Sequence, residues 1–236
     1  MEGSPVKSVV TAVIAAGGVG SRLKSRTHKP FVRLHGRPLL AWTLSAFEKS
    51  PQIGAIVVVI HPADMKAAWR MIHSCKFKKV VAVVPGGESR MASVSHGLQA
   101  VPASSEWVAV HDGARSLITP ALIRATCAAA KRFKAAIAAV PVVPTIKQAA
   151  DGWVTGTLDR DRLWAVQTPQ VFERALLERA HAYGRKHRLT ATDDAALVEK
   201  IGHKVRIVMG DHRNIKITTP EDLVIAKALL NGASPL

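Results

Sequence analysis

Short runs of apolar, mostly β-branched residues alternate along the chain with longer segments in which apolar residues recur at helical spacing. The runs lie at residues 9–15, 55–60, 80–84, 107–110 and 136–140, and the helical segments between them lie at 39–49, 62–73, 91–100 and 120–134. Strands that alternate with helices in this way pair in parallel and are joined by right-handed crossovers. The pattern therefore predicts an α/β fold, with a doubly wound, mostly parallel sheet and helices on both faces.

The regular alternation breaks between residues 141 and 162, where Pro and Gly residues punctuate short alternating stretches. Such punctuation is typical of a hairpin or an extended arm. The core pattern resumes at Leu163, with helices predicted over 173–187, 193–201 and 220–230 and a strand over 205–209. Since neither a repeat nor a linker divides the chain, we expect one Rossmann-like domain over residues 1–236, with a protruding β-arm at about 141–162.

Loops rich in Gly, Asp and Arg follow three of the predicted strands, at residues 16–20, 86–90 and 111–115. In doubly wound sheets the ligand binds beyond the carboxyl ends of the strands, so we expect these loops to open onto one cleft. Asp112 ends a buried strand there, which is a common position for a side chain that contacts a metal or a hydroxyl group. A helix-capping role for Asp112 is the alternative.

The first of these loops, which begins at Ala15 and Ala16 and continues through Gly17, Gly18 and Gly20, carries the strongest local signal. Glycines let the backbone approach a triphosphate with its amides toward the oxygens, and Arg22 and Lys29 add positive charge. A dinucleotide-binding fingerprint would need an acidic residue at the end of the next strand, where His61 and Pro62 stand instead, so a dinucleotide-dependent oxidoreductase is disfavoured. A tight turn with incidental basic residues is the remaining alternative.

Composition restricts the class of protein further. The chain of 236 residues is 48% hydrophobic, yet its apolar runs fall short of the about 20 residues that a membrane span needs, so we expect no membrane partner. The first residues contain no apolar segment typical of a secretory signal, which predicts a cytoplasmic protein. Cys75 and Cys127 are isolated in the sequence, so we expect both to be thiols in the core.

The charge balance points to anionic partners. Lys and Arg number 33 against 17 Asp and Glu, which gives a formal charge of +16. A basic nucleic-acid-binding protein would fit this charge. However, the basic residues are scattered and aromatic residues make up only 5% of the chain, which offers little for bases to stack on. Because phosphorylated small molecules favour the same positive field, we expect such molecules, and no nucleic acid, as partners.

The glycine loop and the Lys29-Pro30 pair resemble the sugar nucleotidyltransferase superfamily, and five further blocks narrow the resemblance to the family of 2-C-methyl-D-erythritol 4-phosphate cytidylyltransferases. These blocks are Gly86-Gly87-Glu88-Ser89-Arg90, His111-Asp112-Gly113-Ala114-Arg115, Thr157-Leu158-Asp159-Arg160 with Gln167-Thr168-Pro169-Gln170, Thr192-Asp193-Asp194, and Asn214-Ile215-Lys216-Ile217-Thr218. The resemblance covers about residues 9–230. The chain departs from the family pattern at Gly113, where Ala is common, and at Ser116, where Pro is common.

The resemblance implies transfer of CMP from CTP to a polyol phosphate by a homodimer. It implies catalytic roles for Arg22, Lys29 and Lys216. It implies nucleotide binding by Ala15, Ala16, Gly17, Gly18, Gly20, Gly86, Gly87, Ser93 and Gly113. It implies acceptor binding by Asp112, Arg115, Thr145, Arg160, Thr168 and Thr192, with Thr145 and Arg160 contributed across the dimer interface. Mg²⁺ would be held mainly by the phosphates of CTP, with Asp112 as a possible further ligand.

The sequence contains no obvious general base, and the implied reaction does not need one. A phosphate monoester has a second pKa near ~6, so the attacking group is already an oxyanion at neutral pH. What the reaction demands is alignment of two polyanions and neutralisation of their charge. A ribitol 5-phosphate cytidylyltransferase would share these loops and differ in the polyol pocket, and it is the nearest alternative.

Overall fold

The computed structural model describes residues 10–18, 21–23, 25 and 27–231, and in these residues a single seven-stranded sheet forms the centre of the molecule. The sheet contains β1 (Val10–Ala16), β4 (Ile53–Ile60), β5 (Val80–Pro85), β6 (Trp107–Asp112), β7 (Ala135–Pro141), β10 (Trp164–Glu173) and β11 (Arg206–Met209). The spatial order is β11-β7-β10-β6-β1-β4-β5. All neighbours pair in parallel except β10, which runs antiparallel to both β6 and β7.

The described residues form seven helices, and six of them cover the two faces of the sheet, whereas Ala226 of the last one clusters with Leu34 and Leu39. The seven helices are α1 (Leu39–Lys49), α2 (Met65–Ser74), α3 (Arg90–Gln99), α4 (Pro120–Phe133), α5 (Arg174–Lys186), α6 (Asp194–Lys200) and α7 (Pro220–Asn231). Because side chains alternate along a strand, Ile14 of β1 belongs to the core cluster that includes residues of α1, α2 and α4, whereas Val13 belongs to the cluster with residues of α3, α5 and α6. The predicted doubly wound α/β fold is confirmed.

The β10 strand is the main element that the hydrophobic pattern does not reveal. Its middle reads Gln167-Thr168-Pro169-Gln170, which interrupts the apolar run, and the pairing with β7 shifts register there. Gln167, Thr168 and Gln170 are nevertheless buried, and each has a hydrogen-bond partner, in β6 for Thr168 and in loops for the two glutamines. Buried polar side chains with partners are tolerated in a core, but they remove the periodicity from which a strand is predicted.

The segment predicted as a hairpin or extended arm contains an antiparallel hairpin of β8 (Lys147–Ala150) and β9 (Trp153–Thr157). Asp151 and Gly152 connect the two strands, both with positive φ, as a tight two-residue hairpin turn requires. A smaller hairpin of β2 (Arg33–Leu34) and β3 (Arg37–Pro38) precedes α1.

The two cysteines differ from the expectation that both lie in the core. Cys127 of α4 is buried, but Cys75 is exposed, so the prediction for Cys75 is wrong. The reason is that α2 ends at Ser74, and Cys75 caps the helix beyond its buried face. Among the described helices, none has the length and apolar character required to cross a membrane.

Candidate active site

A cleft of about 500 Å³ opens at the carboxyl ends of β1, β5 and β6. The three loops that follow these strands line it, as their placement in a parallel sheet predicts. Of the predicted site residues, it brings together Ala15, Ala16, Gly17, Gly18, Arg22, Lys29, Gly87, Ser93, Asp112, Gly113 and Lys216. Gly20 lies outside the described residues.

The cleft concentrates positive charge at the end of β1. Lys29 begins a short 3₁₀ helix, and Arg22 and Lys216 line the same cleft. Burial lowers the pKa of Lys29 to about 8, and the nearby positive charges of Lys216 and Arg22 act in the same direction. The cleft lining carries more positively than negatively charged side chains, so the cleft is suited to a polyanion.

Asp112, at the end of β6, is the buried carboxylate in this group of cations. Its Oδ2 lies 2.7 Å from Lys216 Nζ, and its Oδ1 lies 3.5 Å from Arg90 Nε. Burial raises the pKa of Asp112, but the charges of Lys216 and Arg90 outweigh burial and bring this pKa to about 2. The carboxylate therefore remains ionised and fixes the position of the Lys216 ammonium group.

The loop between β5 and α3 is held by contacts of its own. Ser89 caps α3 by accepting a hydrogen bond from Ala92 N, and Ser93 Oγ accepts one from Gly87 N at 3.0 Å. A Cβ atom at Gly87 would lie 2.6 Å from the Ala92 side chain, so a larger residue does not fit there. Gly86 does not line the cleft, but its N–H donates to Ile60 O and anchors the loop to β4. The backbone of this loop is therefore fixed against the cleft.

Gly113 allows the loops after β1 and β6 to meet. Its N–H donates to Ala15 O at 2.9 Å, and a Cβ atom at this position would lie 2.9 Å from the Ala16 side chain. The close approach is the physical reason for a residue without a side chain here.

Thr168 and His111 form a buried hydrogen-bond chain behind Asp112. Burial lowers the pKa of His111 to about 3, so its ring is neutral. Its Nε2 donates to Arg115 O at 3.3 Å, and its Nδ1 accepts from the Thr168 hydroxyl at 2.9 Å. Thr168 Oγ1 in turn accepts from Asp112 N at 3.1 Å. In this chain the Thr168 hydroxyl holds the backbone of Asp112, a contact that the sequence did not indicate.

Replacing Thr168 with Val should lower the free energy of unfolding by about 1–3 kcal/mol, because Asp112 N–H and His111 Nδ1 would lose a buried partner. Urea denaturation of the two proteins measures the change. Thr168→Ser keeps the hydroxyl group and should lose much less stability. Equal losses for both variants would contradict the positioning role of the hydroxyl.

Five predicted acceptor-binding residues, the buried Thr168 among them, lie outside the cleft lining of the single chain. Thr145, Arg160 and Thr192 are exposed, and Arg160 Nη1 donates to Val143 O at 3.1 Å. Arg115 is directed toward the β10 side, where its guanidinium donates to Asn214 O at 2.7 Å and Val166 O at 3.2 Å. Its buried Nε has no hydrogen-bond partner and lies 4.0 Å from Asp112 Oδ2.

Arg90 is the site residue to which sequence reasoning gave no role. It lines the cleft at the start of α3 and bridges Asp112 to Asp194, whose Oδ2 accepts from Arg90 Nη1 at 2.7 Å. Asp194 is only 1% exposed, and its other oxygen lies 2.9 Å from His181 Nε2. In the sequence, the feature that could have indicated this role is the position of Arg90, a basic residue just after the Ser89 cap at the edge of a predicted ligand-binding loop.

Comparison with known proteins identifies the family of the chain. The family model of 2-C-methyl-D-erythritol 4-phosphate cytidylyltransferase (IspD) matches residues 10–232. The 2-C-methyl-D-erythritol 4-phosphate cytidylyltransferase of Desulforamulus reducens is 46% identical over 223 residues, which cover 94% of this chain and 95% of the relative. The corresponding enzyme of Microcystis aeruginosa is 46% identical over 220 residues, covering 93% and 97%.

Solved structures show the same likeness in three dimensions. The crystal structure of 4-diphosphocytidyl-2C-methyl-D-erythritol synthase from Anaerococcus prevotii superimposes with a TM-score of 0.85 at 31% identity, covering 95% of this chain and 99% of that one. The 2-C-methyl-D-erythritol 4-phosphate cytidylyltransferase of Thermus thermophilus gives a TM-score of 0.79 at 36% identity, covering 94% and 99%. The fold, the order of the sequence blocks and the extent of these matches agree, and the chain belongs to the 2-C-methyl-D-erythritol 4-phosphate cytidylyltransferase family.

Proposed function

We propose that this chain transfers the cytidylyl group of CTP to 2-C-methyl-D-erythritol 4-phosphate, with release of pyrophosphate, in the non-mevalonate isoprenoid pathway. Members of its family are cytidylyltransferases, and the chain is a nucleotidyltransferase. The observation that carries the proposal for this cleft is the convergence of Arg22, Lys29 and Lys216 on the glycine loop after β1. Neither a nucleic-acid-binding role nor a ribitol 5-phosphate substrate is favoured by these relatives.

In the proposed reaction, a phosphate oxygen of the acceptor forms a bond to the α-phosphorus of CTP. The bond from that phosphorus to the oxygen bridging the β-phosphate breaks, and pyrophosphate leaves with the electron pair. No proton has to be removed from the nucleophile, because the phosphate monoester is an oxyanion at about pH 7. Catalysis then consists of alignment and stabilisation of the charge that develops on the α-phosphate and the leaving group.

The placement of the three cations in one cleft supports this chemistry. Lys29 is half-buried, so its charge acts in a medium less screened than water. Lys216 is held by Asp112 at 2.7 Å, on the β6 side of the cleft. We propose that Lys29 and Lys216 stabilise the α-phosphate and that Arg22 binds the triphosphate. The amides of Gly17 and Gly18 would contact the same phosphates.

The loop after β5 is proposed to bind the cytosine base. Ser93 Oγ fixes Gly87 N, and the N–H of Gly86 is already committed to Ile60 O. The cytosine would therefore meet groups of this rigid loop, where the space above Gly87 admits no side chain. Gly113, in contact with Ala15 O, would lie against the ribose.

The side chains of the cleft fit a Mg²⁺ ion that arrives with the nucleotide. Mg²⁺ is usually bound by one or two carboxylates together with substrate phosphates, and Asp112 supplies one buried carboxylate. Its Oδ2 faces Lys216 and its Oδ1 faces Arg90, so the ion would be held mainly by phosphate oxygens. When bound, the ion would reduce the negative charge of the triphosphate.

We propose that the hairpin of β8 and β9 pairs with a second copy of the chain. Trp153 is 79% exposed and Val154 is 64% exposed, which is unusual for large apolar side chains on a monomer surface. An isolated two-stranded hairpin is only marginally stable, and a symmetric dimer would bury this surface. Thr145 and Arg160, near the base of the hairpin, would then contact acceptor phosphate in the partner's cleft.

We also propose a cytoplasmic location. The free state of both cysteines is compatible with it.

Replacing Arg160 with Ala should raise the KM for the acceptor by about 10–100-fold, because a charge-assisted hydrogen bond to a phosphate contributes about 1.5–3 kcal/mol. The KM for CTP should change little. Steady-state kinetics with each substrate varied in turn measures both constants. Arg162→Ala, an exposed arginine of the same 3₁₀ helix, is the matched control. Equal effects of Arg160→Ala on both KM values would contradict the proposed contact.

Pyrophosphate release tests the substrate assignment. The purified protein is incubated with CTP and Mg²⁺, together with 2-C-methyl-D-erythritol 4-phosphate, ribitol 5-phosphate or no acceptor. We expect release with the first acceptor only. Release with ribitol 5-phosphate alone would keep the nucleotide chemistry and overturn the assigned acceptor, whereas equal release without acceptor would indicate a CTP pyrophosphatase.

A further inference from the structure

Two histidines and an aspartate from distant parts of the sequence meet beside the cleft. His28 directly precedes Lys29, and Asp64, 36 residues further along the chain, lies after the end of β4 together with His61. We propose that His28, His61 and Asp64 form a binding site for a divalent transition-metal ion of the Zn²⁺ class. The ion would tie the segment that carries Lys29 to the loop after β4.

The geometry is close to that of a metal site. One ligand atom from each of the three side chains lies within 4.8 Å of the other two. His28 Nδ1 and Asp64 Oδ2 are 2.7 Å apart, and the two imidazole rings have centroids 5.6 Å apart at 77°. Ligand atoms on a tetrahedral Zn²⁺ at about 2.0–2.1 Å lie about 3.3 Å from one another. An ion with this spacing would require side-chain rotations that open the His28–Asp64 contact and bring His61 nearer. Because His61 Nδ1 accepts a hydrogen bond from Ala63 N at 3.3 Å, Nε2 is the His61 nitrogen that would bind the ion.

The donor set selects the class of ion. Two imidazole nitrogens and one carboxylate oxygen favour Zn²⁺, Co²⁺ or Ni²⁺, whereas Mg²⁺ favours oxygen ligands alone. The proposed ion is therefore different from the Mg²⁺ that would accompany CTP. The three side chains are also separate from the described residues that line the cleft.

The local backbone holds the ligands in place. His61 caps a single 3₁₀ turn, Pro62–Asp64, which begins with a proline of fixed φ and ends at Asp64. His28 immediately precedes the 3₁₀ turn Lys29–Phe31. The His28 side chain is 42% exposed, so an ion can enter, and water can supply a fourth ligand. An ion bound here would restrict the segment that leads into Lys29.

The alternative to a metal site is a His28–Asp64 ion pair in which His61 takes no part. Zinc titration by isothermal calorimetry distinguishes the two. The protein is stripped of metal, free of nucleotide and kept in millimolar Mg²⁺, and Cys75→Ser is used as the common background because Cys75 is an exposed thiol. We expect one Zn²⁺ per chain, and a matching Co²⁺ absorption band from the bound ion.

Substitution of the ligands identifies the site. His61→Ala and Asp64→Asn should each weaken Zn²⁺ binding by at least about tenfold, since even the outer partners of metal ligands contribute about 10–100-fold. His212→Ala removes an exposed histidine elsewhere and should leave the affinity unchanged. Unchanged affinity in His61→Ala, or no Zn²⁺ binding by the parent protein, would overturn the proposal. His61→Gln, of similar size, replaces His61→Ala if the latter does not fold.

Hydrogen exchange tests the consequence for the Lys29 segment. Zn²⁺ should slow amide exchange in peptides covering residues 27–31 of the parent protein and have no such effect in His61→Ala. Equal protection in both proteins would contradict the proposed link. Neither measurement uses cytidylyl transfer, so failure of this site and failure of the proposed function are distinguishable.

Discussion

Replacing Lys29 with Ala should lower kcat for cytidylyl transfer by about 10²–10³-fold, the range found when one preorganised transition-state donor is removed. Lys29 is half-buried and lines the same cleft as the glycine loop, and no water-exposed lysine could supply an equally unscreened charge. The fold should be preserved. Lys216 and Arg22 repel the Lys29 charge, and burial disfavours it, so its removal relieves an unfavourable interaction.

Two measurements on Lys29→Ala check this expectation. Steady-state turnover gives the loss of kcat, and thermal unfolding shows that the fold is intact. Lys49→Ala, an exposed lysine at the end of α1, is the matched control and should retain the parent kcat. Turnover by Lys29→Ala near that of the parent would remove Lys29 from the proposed catalytic group, whereas a collapse of the melting transition would assign it a structural role.

Replacing Asp194 with Ala should lower the free energy of unfolding by about 3–5 kcal/mol, the usual effect of removing one partner from a buried ion pair. Asp194 is almost fully buried and bonds Arg90 at 2.7 Å and His181 at 2.9 Å. Burial raises the pKa of Asp194, but the hydrogen bond from His181 and the charge of Arg90 lower it by more, so this pKa lies below its usual value. Without this carboxylate, the guanidinium of Arg90 would lose its principal buried counter-ion.

Urea denaturation measures the stability of Asp194→Ala, with Asp161→Asn as a control on an exposed turn that should change stability by less than ~0.5 kcal/mol. A double-mutant cycle adds Arg90→Ala. Because the two residues are in contact, the combined loss should be smaller than the sum of the single losses. Additive losses, or a loss in Asp194→Ala no larger than that of the control, would contradict a coupled pair.

The strands and helices of the central sheet are predictable because the pattern of apolar residues within each segment determines its secondary structure. β1, β4 and β6 are nearly continuous apolar runs, as strands buried on both faces must be, and the helices between them follow a period of 3.6 residues. The order of these elements fixes which loops share an edge, so the cleft itself follows from the sequence. By contrast, β10 carries its polar side chains inward, where only tertiary partners compensate them.

Other features of the site arise from contacts between distant residues. Arg90 joins Asp112, 22 residues away, to Asp194, 104 residues away, and no local pattern encodes either contact. The hydrogen bond between Thr168 and Asp112 depends on the register of β10 against β6. His28 and His61 show no metal-ligand spacing in the sequence, because the loop after β4 brings them together only in the folded chain. The roles implied for the site residues, Thr145, Arg160 and Thr192 among them, remain predictions.

Phosphorus-31 NMR of the reaction mixture tests the central claim most directly. With CTP, Mg²⁺ and 2-C-methyl-D-erythritol 4-phosphate, the acceptor and CTP signals should disappear together, while pyrophosphate and a new diphosphate diester appear in equal amounts. Lys29→Ala should show almost no conversion over the same time. Formation of CDP and inorganic phosphate, or of CMP and pyrophosphate with the acceptor signal unchanged, would contradict cytidylyl transfer to the acceptor phosphate.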